Sequence, residues 1–340
     1  IPFRSPRAIL ASDHALRFTL SVAFRMNSNS LQTLLRERFQ LQQFRPGQLE
    51  AIEQTLKGRD VLLILPTGAG KSLCYQLPAV ARDGLVLVIS PLIALMKDQV
   101  DRLTTLGIPA TFINSSITME EQHFRIDQMR AGAYRLLYVA PERFRSRFFT
   151  EALAGREISL FAVDEAHCVS QWGHDFRPDY LRLKKVIERL GHPPTIALTA
   201  TATPDVKQDI GLHLGLREPF VLVSGFDRPN LQFVIRNIRT EQEKDLEILD
   251  YLKNHEGMGI IYCSTIRRVD QLAEVLQQQG VKALPYHSQI ETDRRKTFQE
   301  KFMKGDIRVM VATNAFGLGI DKPNIRFVFH YNLPATLEAY

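Results

Sequence analysis

Cysteine is scarce in this chain and badly placed for structural chemistry. The three present, Cys74, Cys168 and Cys263, are scattered, with no Cys-Xaa-Xaa-Cys pair and no metal-ligand spacing. That argues against a disulfide framework or a zinc module and points to a reducing compartment. Long apolar runs are missing too: none approaches the roughly 18 residues of a membrane span. A soluble protein without a membrane partner is expected. There is no low-complexity tract and no short-period repeat, so the only repetition to explain is a pair of similar α/β halves. Acids are nearly absent from the beginning, where Ile1 to Arg25 holds Arg4, Arg7, Arg17 and Arg25 against a single acidic residue. That composition fits an Arg-rich transit peptide. Met26-Asn27-Ser28-Asn29-Ser30 nevertheless reads as a natural start, and residues 1–25 are expected to be a disordered or non-native extension.

What remains is ordinary globular composition: 340 residues, 45% hydrophobic and 24% charged. That length exceeds one typical domain, so two are expected. A net charge of +6 suits a polyanionic partner, although charge alone does not establish nucleic-acid binding. From Leu31 to Ser224, β-rich runs alternate with helical patterns: Val61 to Leu65, Leu85 to Ser90, Arg135 to Ala140, Leu160 to Val163, Thr195 to Thr199 and Phe220 to Ser224. This alternation predicts an α/β fold, a parallel sheet covered by helices. The turn-rich Gly225-Phe226-Asp227-Arg228-Pro229-Asn230 separates it from a second such series. There the expected strands are Gly259 to Cys263, Ala283 to Tyr286, Arg308 to Ala312 and Arg326 to His330, with a helix from Gln271 to Gln279. The domains are thus placed at 26–224 and 231–340, joined by a linker at 225–230, and the second is expected to be incomplete.

Leu65-Pro66-Thr67-Gly68-Ala69-Gly70-Lys71-Ser72 follows the first strand and precedes a helical segment, as a phosphate-binding loop does. Successive backbone N–H groups and a helix N-terminus there face one anion, Lys71 reaches the outer phosphates, and the Ser72 hydroxyl ligates Mg2+. A Cβ at Gly68 or Gly70 would hold the backbone off the phosphates. Asp164 and Glu165 follow an apolar strand. Asp164 is placed to hold the magnesium shell, and Glu165 to orient or deprotonate the attacking water. A strand-end Asp-Glu also serves as a helix N-cap, and the Lys71 loop tips the reading towards chemistry. Gln48, in Phe44-Arg45-Pro46-Gly47-Gln48, has the donor and acceptor that match an adenine edge. Thr199 and Thr201, ending a strand, can relay hydrogen bonds from the magnesium site to a second ligand. Past the acid pair, Trp172, Phe176 and Tyr180 sit at helical spacing, as a core stripe would, but Gly173 and Pro178 argue for a loop. Its aromatics, interleaved with His174 and Arg177, offer stacking faces to unpaired bases.

Taken in order, Gln48, the Lys71 loop, Asp164-Glu165-Ala166-His167, Thr199-Ala200-Thr201 and the aromatic loop resemble the RecQ family of superfamily 2 DNA helicases. The likeness runs from about Leu31 to Tyr340. Gln171-Trp172-Gly173-His174-Asp175-Phe176-Arg177-Pro178 is its most specific element. Ser90-Pro91-Leu92, Met96-Lys97-Asp98-Gln99, Ala140-Pro141-Glu142-Arg143, Tyr262-Cys263, Tyr286-His287 and the run Thr313 to Pro323 also match. The resemblance implies two tandem RecA-like P-loop NTPase domains, ATP and Mg2+ as ligands, and 3′ to 5′ translocation on single-stranded DNA. Duplex or branched DNA would be unwound in recombination and repair, in a bacterial cytoplasm or a eukaryotic nucleus. It assigns catalysis to Lys71, Asp164 and Glu165, and metal binding to Ser72 and Asp164. ATP binding falls to Arg45, Gln48, Thr67, Gly68, Ala69, Gly70, Lys71, Ser72, Gly319 and Asp321. DNA binding and coupling fall to Ser90, Pro91, His167, Trp172, His174, Phe176, Arg177, Thr199, Thr201 and Thr313.

The chain departs from the family pattern in several places. Leu41 stands where an adenine-stacking aromatic is common, and Ser288-Gln289-Ile290 where Ala-Gly-Leu usually follows Tyr-His. The glutamine- and arginine-rich motif that supplies an arginine finger is not reached by Tyr340, nor are the zinc-binding, winged-helix and HRDC modules. A superfamily 2 RNA helicase, or an ATP- and DNA-binding module without unwinding activity, are the alternatives.

Overall fold

A computed structural model describes residues 27–173, 175–224, 230–314, 316–317, 320 and 322–334. The expected extension before Met26, most of the expected linker, and three expected site residues, His174, Gly319 and Asp321, lie outside the described residues. The chain divides into two compact units, Ile1–Asp227 and Arg228–Tyr340.

In the first unit the helices α1 (Ser28–Phe39) and α2 (Gln48–Leu56) lead into β1 (Val61–Ile64), followed by α3 (Leu73–Ala81) and β2 (Leu85–Ile89). Then come α4 (Ile93–Thr105), β3 (Ala110–Ile113), α5 (Met119–Arg130), β4 (Leu136–Val139), α6 (Arg147–Ala154) and β5 (Ile158–Val163). After short 3-10 turns follow α7 (Leu183–Arg189), β6 (Thr195–Thr199), α8 (Pro204–Leu214) and β7 (Phe220–Val223). The strands form one parallel seven-stranded sheet in the order β3-β4-β2-β5-β6-β1-β7. Strands such as Val61-Leu62-Leu63-Ile64 are apolar at every position because both faces are covered. Val61 and Leu63 point into a core shared with Leu31, Ile52 and Leu77, whereas Leu62 and Ile64 enter a second core with Phe149, Ile187 and Ile210.

This strand order sets the site. β6 lies between β1 and β5, so the residues leaving all three strands converge at one end of the sheet, where ligands of open α/β sheets bind. The seventh strand, β3, was not expected from the sequence: four residues after Pro109 carry too little pattern to stand out, and pairing with β4 makes the strand.

The second unit has α9 (Glu241–Asn254), β8 (Met258–Tyr262), α10 (Ile266–Gln278), β9 (Ala283–Tyr286), α11 (Thr292–Lys304), β10 (Val309–Ala312) and β11 (Ile325–His330). Its described strands form a parallel four-stranded sheet, β11-β8-β10-β9, with an apolar core on each face. Helix α10 begins five residues before the expected Gln271, because the Thr265 side chain caps it by accepting from the Arg268 N–H. Arg268 secures this helix to α9: it pairs with Asp245 and stacks its guanidinium over the Tyr331 ring at 4.6 Å.

Candidate nucleotide and nucleic-acid site

The loop between β1 and α3 is shaped by side chains that bind its carbonyls. Gln48, buried at the start of α2, donates from Nε2 to the carbonyls of Ala69 (3.1 Å) and Gly70 (2.8 Å). Its Oε1 accepts from the Arg45 N–H at 2.8 Å, and the Arg45 guanidinium donates to the Gly68 carbonyl. Arg45 and Gln48 therefore hold the loop, and in this structure the hydrogen-bonding groups of Gln48 that suggested an adenine edge are spent on it. Gly68 and Gly70 have φ of +82° and +78°, and a Cβ on Gly70 would lie 2.6 Å from Gln48 Nε2. With its carbonyls engaged, the loop leaves the N–H groups of Thr67, Gly68, Gly70, Lys71 and Ser72 without a hydrogen bond to another described residue. Ser72 already has helical dihedrals, so these donors run straight into the N-terminus of α3. That is an anion cradle.

Lys71 lies over the loop, its Nζ donating to the Leu65 carbonyl at 3.0 Å. Burial lowers its pKa, and the charges of Glu165 and Asp164 partly offset this. The carboxylates respond in the opposite sense. Asp164 is raised by burial and by its neighbour Glu165, with Lys71 pulling it back, and Glu165 is raised by burial with Lys71 again opposing. Two desolvated carboxylates beside one ammonium make a site electrostatically prepared for a cation. Hard oxygen donors from Ser72 and Asp164 suit magnesium, and the free amides with Lys71 suit a polyphosphate.

Glu165 takes a left-handed conformation, φ 47° and ψ 48°, which turns the chain sharply after β5. The turn brings the buried His167 to Thr199, at the end of β6. Thr199 Oγ1 donates its single proton to the Thr201 carbonyl at 2.9 Å. It must therefore accept from His167 Nδ1, 2.9 Å away, which fixes the proton on Nδ1. The same nitrogen lies 3.3 Å from Glu165 Oε2. A polar chain thus connects Glu165, His167, Thr199 and Thr201.

The segment after His167 is a loop, not a helix, and its three aromatics have different fates. Trp172 is 77% exposed, Phe176 is half-buried and Tyr180 is fully buried, its hydroxyl donating to the Asp164 carbonyl at 3.1 Å. Sequence reasoning missed this support of the acid pair; the signal was an aromatic with a polar tip just beyond Pro178. Ser170 donates to Asp209 of α8 at 2.6 Å and accepts from the Trp172 N–H, pinning the turn that presents the indole. A Cβ on Gly173 would come within 2.5 Å of the His167 carbonyl, so only glycine lets the loop fold onto the 3-10 turn. Arg177, expected as a cation for bases, is mostly occupied: it pairs with Asp175 and donates to the Pro91 carbonyl at 3.1 Å. That bond ties the aromatic loop to the Ser90-Pro91 turn, where Ser90 is buried with its hydroxyl accepting from Leu92 N–H. Thr313, at the end of β10, lies in the second unit, its N–H donating to Tyr286.

Comparison with known proteins follows the same division. The description "DEAD/DEAH box helicase" matches residues 45–210, and "Helicase conserved C-terminal domain" matches residues 243–340. The chain is 46% identical to the ATP-dependent DNA helicase RecQ of Pasteurella multocida, over 89% of this chain and 48% of that protein. It is 45% identical to the RecQ of Bacillus subtilis, over 91% of this chain and 52% of that one. The chain thus spans about half the length of these curated relatives. Among solved structures, the Mycobacterium smegmatis helicase Lhr bound to ssDNA and AMP-PNP is similar in fold, with a TM-score of 0.67 and 21% identity over 87% of this chain and 43% of that one.

Proposed function

The chain belongs to the RecQ family of helicases, and from that premise we propose that it works as an ATP-driven motor on single-stranded DNA. Translocation runs 3′ to 5′, and duplex or branched DNA is the substrate of unwinding in recombination and repair. The observation that carries this reading is the Glu165–His167–Thr199–Thr201 chain together with the Arg177–Pro91 bond. Together they connect a nucleotide cradle to a loop that offers an exposed indole.

The amides of residues 67–72 and the Lys71 ammonium bind the triphosphate of the ATP substrate. Ser72 and Asp164 would hold a magnesium ion, which would supply charge neutralisation for phosphoryl transfer. Glu165 orients the water that attacks the terminal phosphate and accepts its proton; its burial raises its basicity for that task. His167, protonated on Nδ1, fixes the Glu165 carboxylate and reports its position to Thr199. Trp172 and Phe176 stack on bases, a grip that tolerates any sequence. A strand bound there presses on the loop that begins at the acid pair, so DNA binding changes the setting of Glu165.

The test is ATP hydrolysis measured with single-stranded DNA, with RNA of the same length, and with neither. Stimulation by DNA supports the reading. Equal stimulation by RNA would shift it to an RNA helicase, and nucleotide and strand binding without turnover would leave only a binding module.

A further inference from the structure

Beneath the phosphate loop the apolar core is interrupted by a line of polar groups that neither the fold nor the hydrolysis site requires. Gln76, one turn into α3, donates from Nε2 to Gln99 Oε1 of α4 at 2.8 Å and to the Tyr138 hydroxyl of β4 at 3.1 Å. Both N–H bonds of its amide are thereby used. Tyr138 and Tyr75 are buried, and their rings meet edge to face with centroids 6.2 Å apart. Burial pushes both phenols far above the ordinary tyrosine range, so each stays a neutral O–H able to donate and accept. The Ser72 carbonyl accepts from the backbone N–H of Gln76 at 3.0 Å and from that of Tyr75 at 3.3 Å. The connection therefore runs from Ser72 along the first turn of α3 to Gln76 and Tyr75, and from these to Gln99 and Tyr138, all within the first unit.

Phenylalanine and leucine would fill this space without polar groups to satisfy. A buried polar network is costly when incomplete, and when satisfied it fixes one arrangement of the elements that it joins. Here those elements are the helix that begins in the phosphate loop and the helix that follows Ser90-Pro91-Leu92. Arg177 of the aromatic loop already grips the carbonyl of Pro91.

Resting on the functional reading above, we propose that Tyr75, Tyr138, Gln76 and Gln99 are positioning residues that couple nucleotide binding at Ser72 to the grip of single-stranded DNA beside α4. A nucleotide in the loop engages the Ser72 hydroxyl and sets the first turn of α3, and Gln76, bonded through its backbone to Ser72, carries that setting to Gln99 of α4 and Tyr138 of β4. This route is separate from the one through Glu165, His167 and Thr199. Coupling of this kind is reciprocal, so a strand bound beside α4 changes nucleotide affinity by the same factor.

The experiment is a binding cycle without turnover. Affinity of a fluorescent oligodeoxythymidylate is measured by anisotropy with and without magnesium and adenylyl imidodiphosphate, in the wild type, Tyr138→Phe and Gln99→Leu. The wild type should bind the strand at least about fivefold differently in the two conditions, the low end of ordinary coupling. Each variant should bring that ratio below about twofold while still binding each ligand alone. A purely structural role would lower the melting temperature and leave the ratio where it was. Folded variants with the wild-type ratio overturn the proposal, as does a wild type that binds both ligands without coupling. A wild type that binds neither overturns the functional reading beneath it, and the two failures are thereby distinguished. Should Tyr138→Phe not fold, Gln99→Leu, on a half-buried position of α4, carries the test alone.

Discussion

The phosphate loop and the aromatic loop leave the same end of one sheet, yet they are held in opposite ways. In the first, side chains bind the backbone: Gln48 and Arg45 engage three successive carbonyls, and the N–H groups are left for a ligand. In the second, the backbone is pinned so that side chains are left over, Ser170 and Arg177 taking the anchoring bonds while Trp172 stays exposed. A backbone site demands one conformation and offers no substitute for a lost donor. A stacking site is a sum of replaceable rings. The two loops should therefore fail differently, the first abruptly and the second by degrees.

The largest effect is expected at Lys71. Lys71→Ala removes the ammonium proposed to neutralise phosphate charge in the transition state and should cut ATP turnover on the order of 10²-fold or more, leaving strand binding largely intact. Full turnover in a steady-state assay would contradict the phosphate-loop assignment. Next is Glu165→Gln, which keeps shape but not basicity; nucleotide affinity measured by titration should persist while turnover is lost. A normal rate would make Glu165 structural.

Thr199→Val probes the connection between the loops. It removes the acceptor of His167 Nδ1 and the donor to Thr201 while keeping the β-branched shape, leaving the imidazole its 3.3 Å contact with Glu165 and losing a buried hydrogen bond at a cost of about 1 kcal/mol. Stability should fall by that amount in denaturant unfolding, and stimulation by DNA should fall further than the basal rate. Equal losses in both rates would reduce the chain to packing. The smallest effect is expected at Trp172 and Phe176. Alanine at either should cost roughly 1–3 kcal/mol of strand binding per stacked base, with the Trp172 variant melting as the wild type does. Phe176 is half-buried, so a drop in melting temperature for its variant alone would mark that ring as core and not grip.

Much of this contrast was legible in the residues. The Lys71 loop, the acid pair and the strand rhythm are local patterns, and parallel strands buried on both faces write themselves as apolar runs. Less legible was whatever depends on which strands are neighbours. That Thr199 meets His167 follows from β6 lying between β1 and β5, and no spacing in the sequence encodes that order. The same reason hid the Arg177 bond to Pro91, across 86 residues of sequence. Gln48 read as a base-edge partner because its amide has the right groups; its burial against the loop, with both groups engaged, is a fact of packing. Tyr180 looked like Trp172 in pattern, and only the fold separates a ring in the core from a ring in solvent.

The central claim is that the aromatic loop connects strand binding to hydrolysis at the acid pair. It is tested most directly by the ratio of DNA-stimulated to basal ATP hydrolysis in the wild type and in Trp172→Ala, side by side. The account predicts clear stimulation by single-stranded DNA in the wild type and, in the variant, a smaller ratio at saturating DNA while the basal rate survives. A Trp172→Ala protein that keeps the wild-type ratio once the strand is saturating would contradict it.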